Sequence, residues 1–149
     1  MTFYLAQVNI GRMLAPIDSP TMAGFVAGLD PINALAEGSP GFIWRLKTDE
    51  GNATSLRPYE DEFMIINMSV WTDIEALFQF TYYGNHIDYM RQRSSWFERM
   101  KVYVTLWYVP HTDMPTPADA QARLAHLETH GPTPYAFTFK QRFSVADLG

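Results

Sequence analysis

The amino-acid sequence predicts a single α+β domain of the ferredoxin-like type, with elements in the order β-α-β-β-α-β and an extra helix near the C-terminus. Two observations lead to this prediction. Segments rich in β-branched and aromatic residues alternate in that order with segments of helical periodicity. The length of 149 residues suits one domain spanning 1–149 and is too short for two domains of ordinary size.

The first two elements are a strand and a helix. Residues 3–10 are rich in β-formers, and strand alternation places Gln7 and Asn9 on the same face. A helix is expected to begin near Met22 and to be interrupted at Pro31, because the residue before a proline disfavours the α conformation.

The remaining elements continue the pattern. Asp73 is a good N-cap for the helix that follows the third strand, and the polar residues 48–61 are expected to form a loop or hairpin connection. The predicted elements after the first helix are two strands, two helices, a strand, a helix and a short strand, at 41–47, 63–71, 74–82, 86–100, 102–109, 118–130 and 135–139.

A sheet of this type carries its helices on one face, so the other face needs a cover. We expect that face to hold Trp44 or Arg45 together with Asn67, Ser69 and Trp107. Because some of these side chains are large and apolar, we expect a second copy of the chain to pack against them. The resulting homodimer is a dimeric α/β barrel, with an interface of ordinary size.

The composition narrows the range of partners. The net charge is −5, which disfavours nucleic acid and anionic membranes as partners because both require a basic surface. Hydrophobic residues make up 47% of the chain, which is enough for a large core and an apolar ligand pocket. There are no cysteines, and no apolar run is long enough to insert into a membrane. We therefore expect a soluble, cytoplasmic protein that binds a hydrophobic small molecule.

One predicted helix face carries the most informative residues. His86, Tyr89, Met90, Arg93 and Phe97 share it at a spacing of 3.6 residues per turn. His86 is a candidate catalytic residue, as a ligand or proton shuttle, and Tyr89 a candidate substrate contact. Arg93 is a candidate anchor for an anion such as a carboxylate. The alternatives are that His86 is an ordinary residue of a helix start and that Arg93 pairs with an acidic neighbour.

Polar residues on the predicted strands are the second signal. Asn67 and Ser69 interrupt an apolar strand, and Gln7 and Asn9 do the same on the first strand. Buried polar groups need partners. Asn9 and Asn67 are therefore candidate substrate-binding residues, and the alternative is that these side chains bond to one another or to a loop.

Three further residues are candidates for substrate binding. Trp44 and Trp107 either line a site for a flat aromatic ligand or pack in the core. Arg45 is a candidate because arginine is rarely buried without a partner.

Several motifs of known chemistry are absent from the sequence. It contains no P-loop, no GxGxxG, no HExxH and no G-x-S-x-G. His126 and His130 have a spacing that suits a metal, but without an evident third ligand a solvated helix face is the simpler interpretation.

Long segments of the chain resemble an uncharacterised bacterial family of unknown function within the dimeric α/β barrels. The segments include AQVNIGR, LWYVP and HGPTPYAFTF, and they lie at 6–12, 32–46, 66–86, 91–97, 106–110 and 130–139. This resemblance implies the dimeric barrel fold and no particular reaction.

Residues 69–97 are also similar to a segment of the spheroidene monooxygenase family. The shared features are Trp71, an acidic helix start, an aromatic–tyrosine pair, His86, and then arginine and tryptophan. This resemblance implies haem-dependent oxygenation of a hydrophobic substrate with His86 as the axial ligand, a common role for imidazole. Antibiotic-biosynthesis monooxygenases of the same architecture need no cofactor, so both options stay open.

The sequence thus supports a small-molecule enzyme, a monooxygenase-like oxidoreductase whose hydrophobic substrate lies between the sheet and the helices. The alternatives are a barrel that binds or senses a small molecule without turning it over, and a structural dimer with a filled core.

Overall fold

The computed structural model describes residues 2–47, 61, 63–82, 87 and 90–148. In this part of the chain, four strands form one antiparallel sheet in the order β2-β3-β1-β4. The strands are β1 (Phe3–Arg12), β2 (Phe42–Arg45), β3 (Met64–Trp71) and β4 (Val104–Pro110). This order is that of the split βαβ fold, so the predicted ferredoxin-like class is confirmed.

The helices surround this sheet. Among the described residues, the helices with both ends placed are α1 (Ala23–Glu37), α2 (Ile74–Tyr82), a single turn α3 (Arg93–Trp96) and α4 (Pro117–His130). Short 3₁₀ turns lie at Pro20–Met22 and Val145–Leu148, and Ile87, Met90 and Arg91 are also helical. The predicted cap of α2 is present, because Asp73 Oδ1 accepts a hydrogen bond of 2.8 Å from the backbone N–H of Ala76. A capping box between Thr116 and Asp119 begins α4.

Helix α1 runs unbroken through Pro31, so the predicted interruption is wrong. A proline inside a helix removes one backbone hydrogen bond. The helix nevertheless holds because Phe25, Leu29, Ile32 and Ala36 repeat at intervals of three or four residues and face the sheet. Packing of this apolar face outweighs the local preference of the residue before proline.

The region around the second predicted helix also differs from expectation. A helix was predicted over residues 86–100, but in the described part of this range the helix ends at Trp96. Phe97 is extended and forms an isolated β-bridge with Met13. The extension to residue 100 is therefore wrong, because Phe97 packs against the end of β1. The predicted terminal strand is reduced to isolated bridges, including one between Leu106 and Phe137.

The predicted alternation along the strands is confirmed on β1. Gln7 lies opposite Ser69, and Asn9 lies opposite Asn67. We call the surface that these residues share the helix-side face, because α1 and α2 pack over it. Ala6 lies opposite Trp107 on the other surface, which we call the outer face.

The expectation that Asn67 and Ser69 share an uncovered face with Trp107 is therefore wrong, because strand parity separates them. The outer face is also buried within one chain, since Val8 and Met68 are fully buried and Trp107 is only 1% exposed. Ala120 and Leu124 of α4 belong to the same hydrophobic cluster and cover part of that face. The extra C-terminal helix thus supplies cover that we had assigned to a second copy.

No helix in the described part of the chain is both long and apolar enough to cross a membrane.

Gly41 joins α1 to β2 in a conformation with φ of +85°, where a Cβ would lie 2.5 Å from Ala76 Cβ. We expect Gly41→Ala to lower the free energy of unfolding by about 2 kcal/mol, through backbone strain and overpacking. Urea denaturation measures this. Two other glycines serve as controls. Gly131→Ala has the backbone strain (φ +75°) but no neighbour within 4 Å, and Gly38→Ala has neither the strain nor the close contact. Equal losses for all three variants would contradict the interpretation.

Candidate functional site

A cavity of about 310 Å³ lies between the helix-side face and the helices α1 and α2. This volume is at the lower end of the usual range for small-molecule sites. The side chains that form its walls are mostly apolar, and they include Phe25, Leu29, Ile32, Leu77, Phe80, Trp96, Phe97, Leu106 and Phe139. The cavity therefore lies where the sequence places a hydrophobic ligand, between sheet and helices.

Aromatic rings give the cavity flat walls. Trp71 stacks on Phe80 with ring centroids 5.1 Å apart and planes inclined by 27°. Phe25 packs against Trp96 and Phe97 at 5.8 and 5.0 Å. Such rings favour a planar apolar ligand, because they present large surfaces in fixed orientations.

A network of side-chain amides crosses the helix-side face. Gln7 Nε2 donates to Asn67 Oδ1 at 2.9 Å and to Ser69 Oγ at 2.8 Å. Asn9 Nδ2 donates to Gln7 Oε1 at 3.2 Å and to Asn67 Oδ1 at 3.1 Å. All four residues line the cavity. These side chains therefore bond to one another, as one of the two predicted alternatives has it, and they do so on the cavity wall itself.

Trp71 anchors one end of this amide network. Its Nε1–H donates to Ser69 Oγ at 2.8 Å, so the serine hydroxyl accepts from both Trp71 and Gln7. Gln7 and Ser69 are each 7% exposed, whereas Asn67 is exposed toward the cavity. The buried end of the network positions the amides, and the accessible end can meet a ligand.

Arg93 lies on α3 at the wall of the cavity. Its Nη2 donates to the carbonyl oxygen of Ile10 at 2.6 Å. Its guanidinium lies over Phe97 and Tyr103, with centroid distances of 5.0 and 4.3 Å. Burial lowers the pKa of Arg93, and Tyr103 opposes this shift, but a guanidinium stays charged at any physiological pH. In the described part of the chain no carboxylate pairs with it, so the predicted acidic neighbour is not seen there.

Arg45 also lines the cavity, from the edge strand β2 opposite Ser69. Its side chain is 11% exposed, and its Nη2 lies 3.5 Å from Glu37 Oε1. This arginine therefore has a carboxylate close by, in contrast to Arg93.

The charges around the cavity are one-sided. The ionisable side chains on the described wall are Arg45, Arg93, Tyr82 and Tyr103. That part of the wall contains no Asp, Glu, His or Lys. An apolar cavity with guanidinium groups and no carboxylate on its described wall favours a ligand that carries negative charge.

Four of the predicted site residues thus line one cavity: Asn9, Arg45, Asn67 and Arg93. Trp44 and Trp107 do not, because strand parity turns both to the outer face, where they belong to the hydrophobic core. The core interpretation applies to these two tryptophans. His86 and Tyr89 lie outside the described residues.

Sequence reasoning weighed Gln7 and Ser69 without selecting them, and it did not select Tyr103. Strand parity places Gln7 and Ser69 with Asn9 and Asn67, so that signal was available. Tyr103 precedes β4, and only the folded chain brings its ring under Arg93.

The described residues offer few ligands for a metal or haem. No three His, Cys, Asp or Glu side chains come together among them. The described cavity wall offers neither an imidazole nor a thiolate, the ligands that most often hold haem iron. The rings of His126 and His130 are adjacent at 4.4 Å, and His126 Nε2 lies 3.1 Å from Thr133 Oγ1.

The chain belongs to a family described as a domain of unknown function (DUF3291), whose profile matches residues 4–148. None of the curated proteins matches the sequence significantly.

Solved structures share the fold at low sequence identity. SnoaB from Streptomyces nogalater, a cofactor-independent oxygenase, is 15% identical with a TM-score of 0.50, over 76% of this chain and 97% of that chain. A mutant of SnoaB is 14% identical with a TM-score of 0.51, over 74% and 95%. PA3566 from Pseudomonas aeruginosa is 14% identical with a TM-score of 0.49, over 73% and 94%. The SnoaB likeness shows a shared fold.

Ser69→Ala removes the acceptor for two buried donors, Trp71 Nε1–H and Gln7 Nε2–H. We expect the free energy of unfolding to fall by about 2 kcal/mol, because unsatisfied buried donors are costly. Chemical denaturation measures the change. The control is Ser39→Ala, whose exposed hydroxyl donates to the Leu35 carbonyl and whose loss should stay within about 0.5 kcal/mol. Similar losses at both serines would show that the network is not stabilising.

Proposed function

We propose that this DUF3291 member is an oxygenase-like enzyme that binds a flat hydrophobic molecule in the cavity and oxidises it as an anion. The observation that carries this proposal is the guanidinium of Arg93, which faces an apolar cavity without a described carboxylate partner. SnoaB, which shares the fold at low identity, is a cofactor-independent oxygenase, and this supports the reaction class.

A comparison within the chain supports a ligand-binding role for Arg93. Arg123 makes the same kinds of contact: it donates to the Tyr135 carbonyl at 2.8 Å and stacks on Tyr135 and Trp107 at 3.7 and 5.8 Å. Unlike Arg93, it also feels the charge of a nearby carboxylate, that of Asp119. Burial lowers the pKa of both arginines. Of these two arginines, only Arg93 lines the cavity of about 310 Å³, so its charge is available to a ligand there.

Oxygenation without a cofactor requires the substrate to supply the electrons. Loss of a proton from an acidic C–H or O–H group leaves an anion, which transfers one electron to O₂. The substrate radical and superoxide combine to a peroxide, and O–O cleavage with loss of water leaves a carbonyl group. A methylene R₂CH₂ and O₂ thus give R₂C=O and H₂O. Arg93 and the N–H groups of the amide network would stabilise the anion in a site of low polarity.

The base for this reaction is proposed to be His86, the catalytic candidate of the sequence. Histidine is the usual proton acceptor near neutral pH. The second role predicted for His86, as axial ligand of haem, belongs to the alternative in which the iron supplies the oxidising chemistry. We further propose that the protein is cytoplasmic and acts as a homodimer, although the buried outer face no longer requires a second copy.

The second candidate function is a barrel that binds the same anion without turning it over. The same cavity and the same arginine favour it. Ligand binding and oxygen consumption must therefore be measured separately.

Binding is tested with two fluorescent probes of the same ring skeleton, the anion 1-anilinonaphthalene-8-sulfonate and the neutral N-phenyl-1-naphthylamine. We expect Arg93→Met to weaken binding of the anion about tenfold, since a charge-assisted hydrogen bond contributes about 1.5–3 kcal/mol, and to leave the neutral probe unchanged. Arg93→Lys should restore part of the loss. Arg123→Met is the matched control and should change neither probe. Equal effects of Arg93→Met on both probes would count against an anion site.

Turnover is tested by oxygen uptake with acidic aromatic methylene compounds such as anthrone, with chelator present. With ¹⁸O₂ we expect one labelled atom in the product carbonyl and one in water. His86→Ala should lower kcat at least about a hundredfold, as for loss of a general base, while Arg123→Met keeps it. If uptake requires added haemin and a Soret band disappears in His86→Ala, the haem alternative holds. Ligand binding without oxygen uptake, both with and without added haemin, would support the second candidate function, a barrel that binds the anion without turning it over.

A further inference from the structure

Within the described part of the chain, the amide network leaves a few donor and acceptor atoms without a partner, and these atoms remain for a ligand. Both Nε2 hydrogens of Gln7 are used, by Asn67 and Ser69. Both Nδ2 hydrogens of Asn9 are used, by Gln7 and Asn67. The amide oxygen of Asn67 accepts two bonds, which fill its two lone pairs.

Two groups at the accessible end of this network have no partner among the described residues. They are the Nδ2 hydrogens of Asn67, a donor, and the Oδ1 atom of Asn9, an acceptor. Both residues line the cavity. They lie directly opposite each other on β3 and β1, where facing Cβ atoms are about 5 Å apart. The cavity wall therefore presents one donor beside one acceptor.

This pairing does not depend on which way the amides point. Amide oxygen and nitrogen can exchange positions by rotation of the group. If Gln7, Asn9 and Asn67 all rotate, the four hydrogen bonds among these amides and Ser69 re-form with opposite polarity. The Ser69 hydroxyl then donates to Gln7 and still accepts from the Trp71 indole N–H. Asn67 then presents the acceptor and Asn9 the donor. Rotation of a single amide would place two donors or two acceptors against each other, so the network reverses only as a unit.

We propose that the cavity recognises a flat apolar ring whose edge carries a hydrogen-bond donor beside a carbonyl acceptor, as in a lactam or its hydroxy-carbonyl counterpart. This names the substrate class of the site and rests on the proposed function for its reaction. The donor of the ligand bonds the free amide oxygen, and its carbonyl oxygen bonds the free amide N–H. An edge with acceptors alone would leave Asn9 Oδ1 facing another acceptor.

Arg93 complements this recognition. The N–H of a lactam, or the O–H of a hydroxy-carbonyl, becomes an anion delocalised over both heteroatoms when it loses its proton. Arg93 on the same cavity wall has a guanidinium in which one N–H is engaged, by the Ile10 carbonyl. A guanidinium has five N–H groups, so it can stabilise this anion while the amides hold the ring edge.

The test uses three bicyclic probes of nearly the same shape: 2-quinolone, N-methyl-2-quinolone and coumarin. Only 2-quinolone has a donor beside its carbonyl group. We expect it to bind the wild-type protein about tenfold more tightly than the other two, the effect of leaving one polar group unpaired in a site. Asn9→Leu removes the acceptor for the N–H of 2-quinolone and should bring the three affinities within about twofold of one another. Asn67→Leu removes the donor for the carbonyl group that all three probes share and should weaken all three alike. In the reversed network these two results exchange between the variants. The control Arg123→Met should preserve the preference.

Asn67→Asp provides a second variant if Asn67→Leu does not fold. At neutral pH its carboxylate only accepts hydrogen bonds, so the carbonyl groups of all three probes lose their donor, while the N–H of 2-quinolone keeps an acceptor. All three probes should bind more weakly, and the preference for 2-quinolone should persist. Equal wild-type affinities for the three probes would overturn the inference, as would a preference for 2-quinolone that survives in both leucine variants. If the naphthalene sulfonate binds through Arg93 and the preference for 2-quinolone is absent, only this inference fails. If 2-quinolone is preferred and no oxygen is consumed with any substrate, only the proposed oxygenation fails.

Discussion

The antiparallel register between β1 and β3 is the constraint on which the rest of the site depends. It places Gln7 opposite Ser69 and Asn9 opposite Asn67, so four polar side chains meet on one face of an otherwise apolar sheet. A shift of β1 by one residue would move Gln7 and Asn9 to the other face, away from Asn67 and Ser69 and into an apolar core. The hydrogen bonds among these side chains therefore fix the register and build the cavity wall.

The charge of the site follows from where this polar wall lies. The cavity is closed mostly by aromatic and aliphatic side chains, which hold water away and strengthen electrostatic interactions. Arg93 is tolerated in this wall because it lies over Phe97 and Tyr103 and donates to the Ile10 carbonyl. Its charge remains available to a ligand. Amide side chains fixed by hydrogen bonds, together with the guanidinium of Arg93, suit a ligand that changes from neutral to anionic while it is bound.

The two faces of the sheet have different roles: the helix-side face lines the cavity, and the outer face belongs to the hydrophobic core, to which α4 contributes. This helix covers part of the outer face, where Trp44 and Trp107 pack in the core with Ala120 and Leu124. Aromatic residues of the same kind thus have opposite roles, because Trp71 lies on the helix-side face and lines the cavity. Residue type alone does not separate them. Strand parity does, once the strand boundaries and the register are known.

The sequence by itself determined the order of strands and helices along the chain, the alternation on β1 and β3, and the cap at Asp73, because each depends on residues close together in the chain. From that alternation it also selected Asn9 and Asn67. The tertiary structure decided what depends on distant contacts. Packing on the sheet carried α1 through Pro31, α4 covered the face that we had assigned to a second copy, and Tyr103 came to lie under Arg93. Local preferences are about 1 kcal/mol or less for ordinary residues, so they yield wherever burial of an apolar face contributes more.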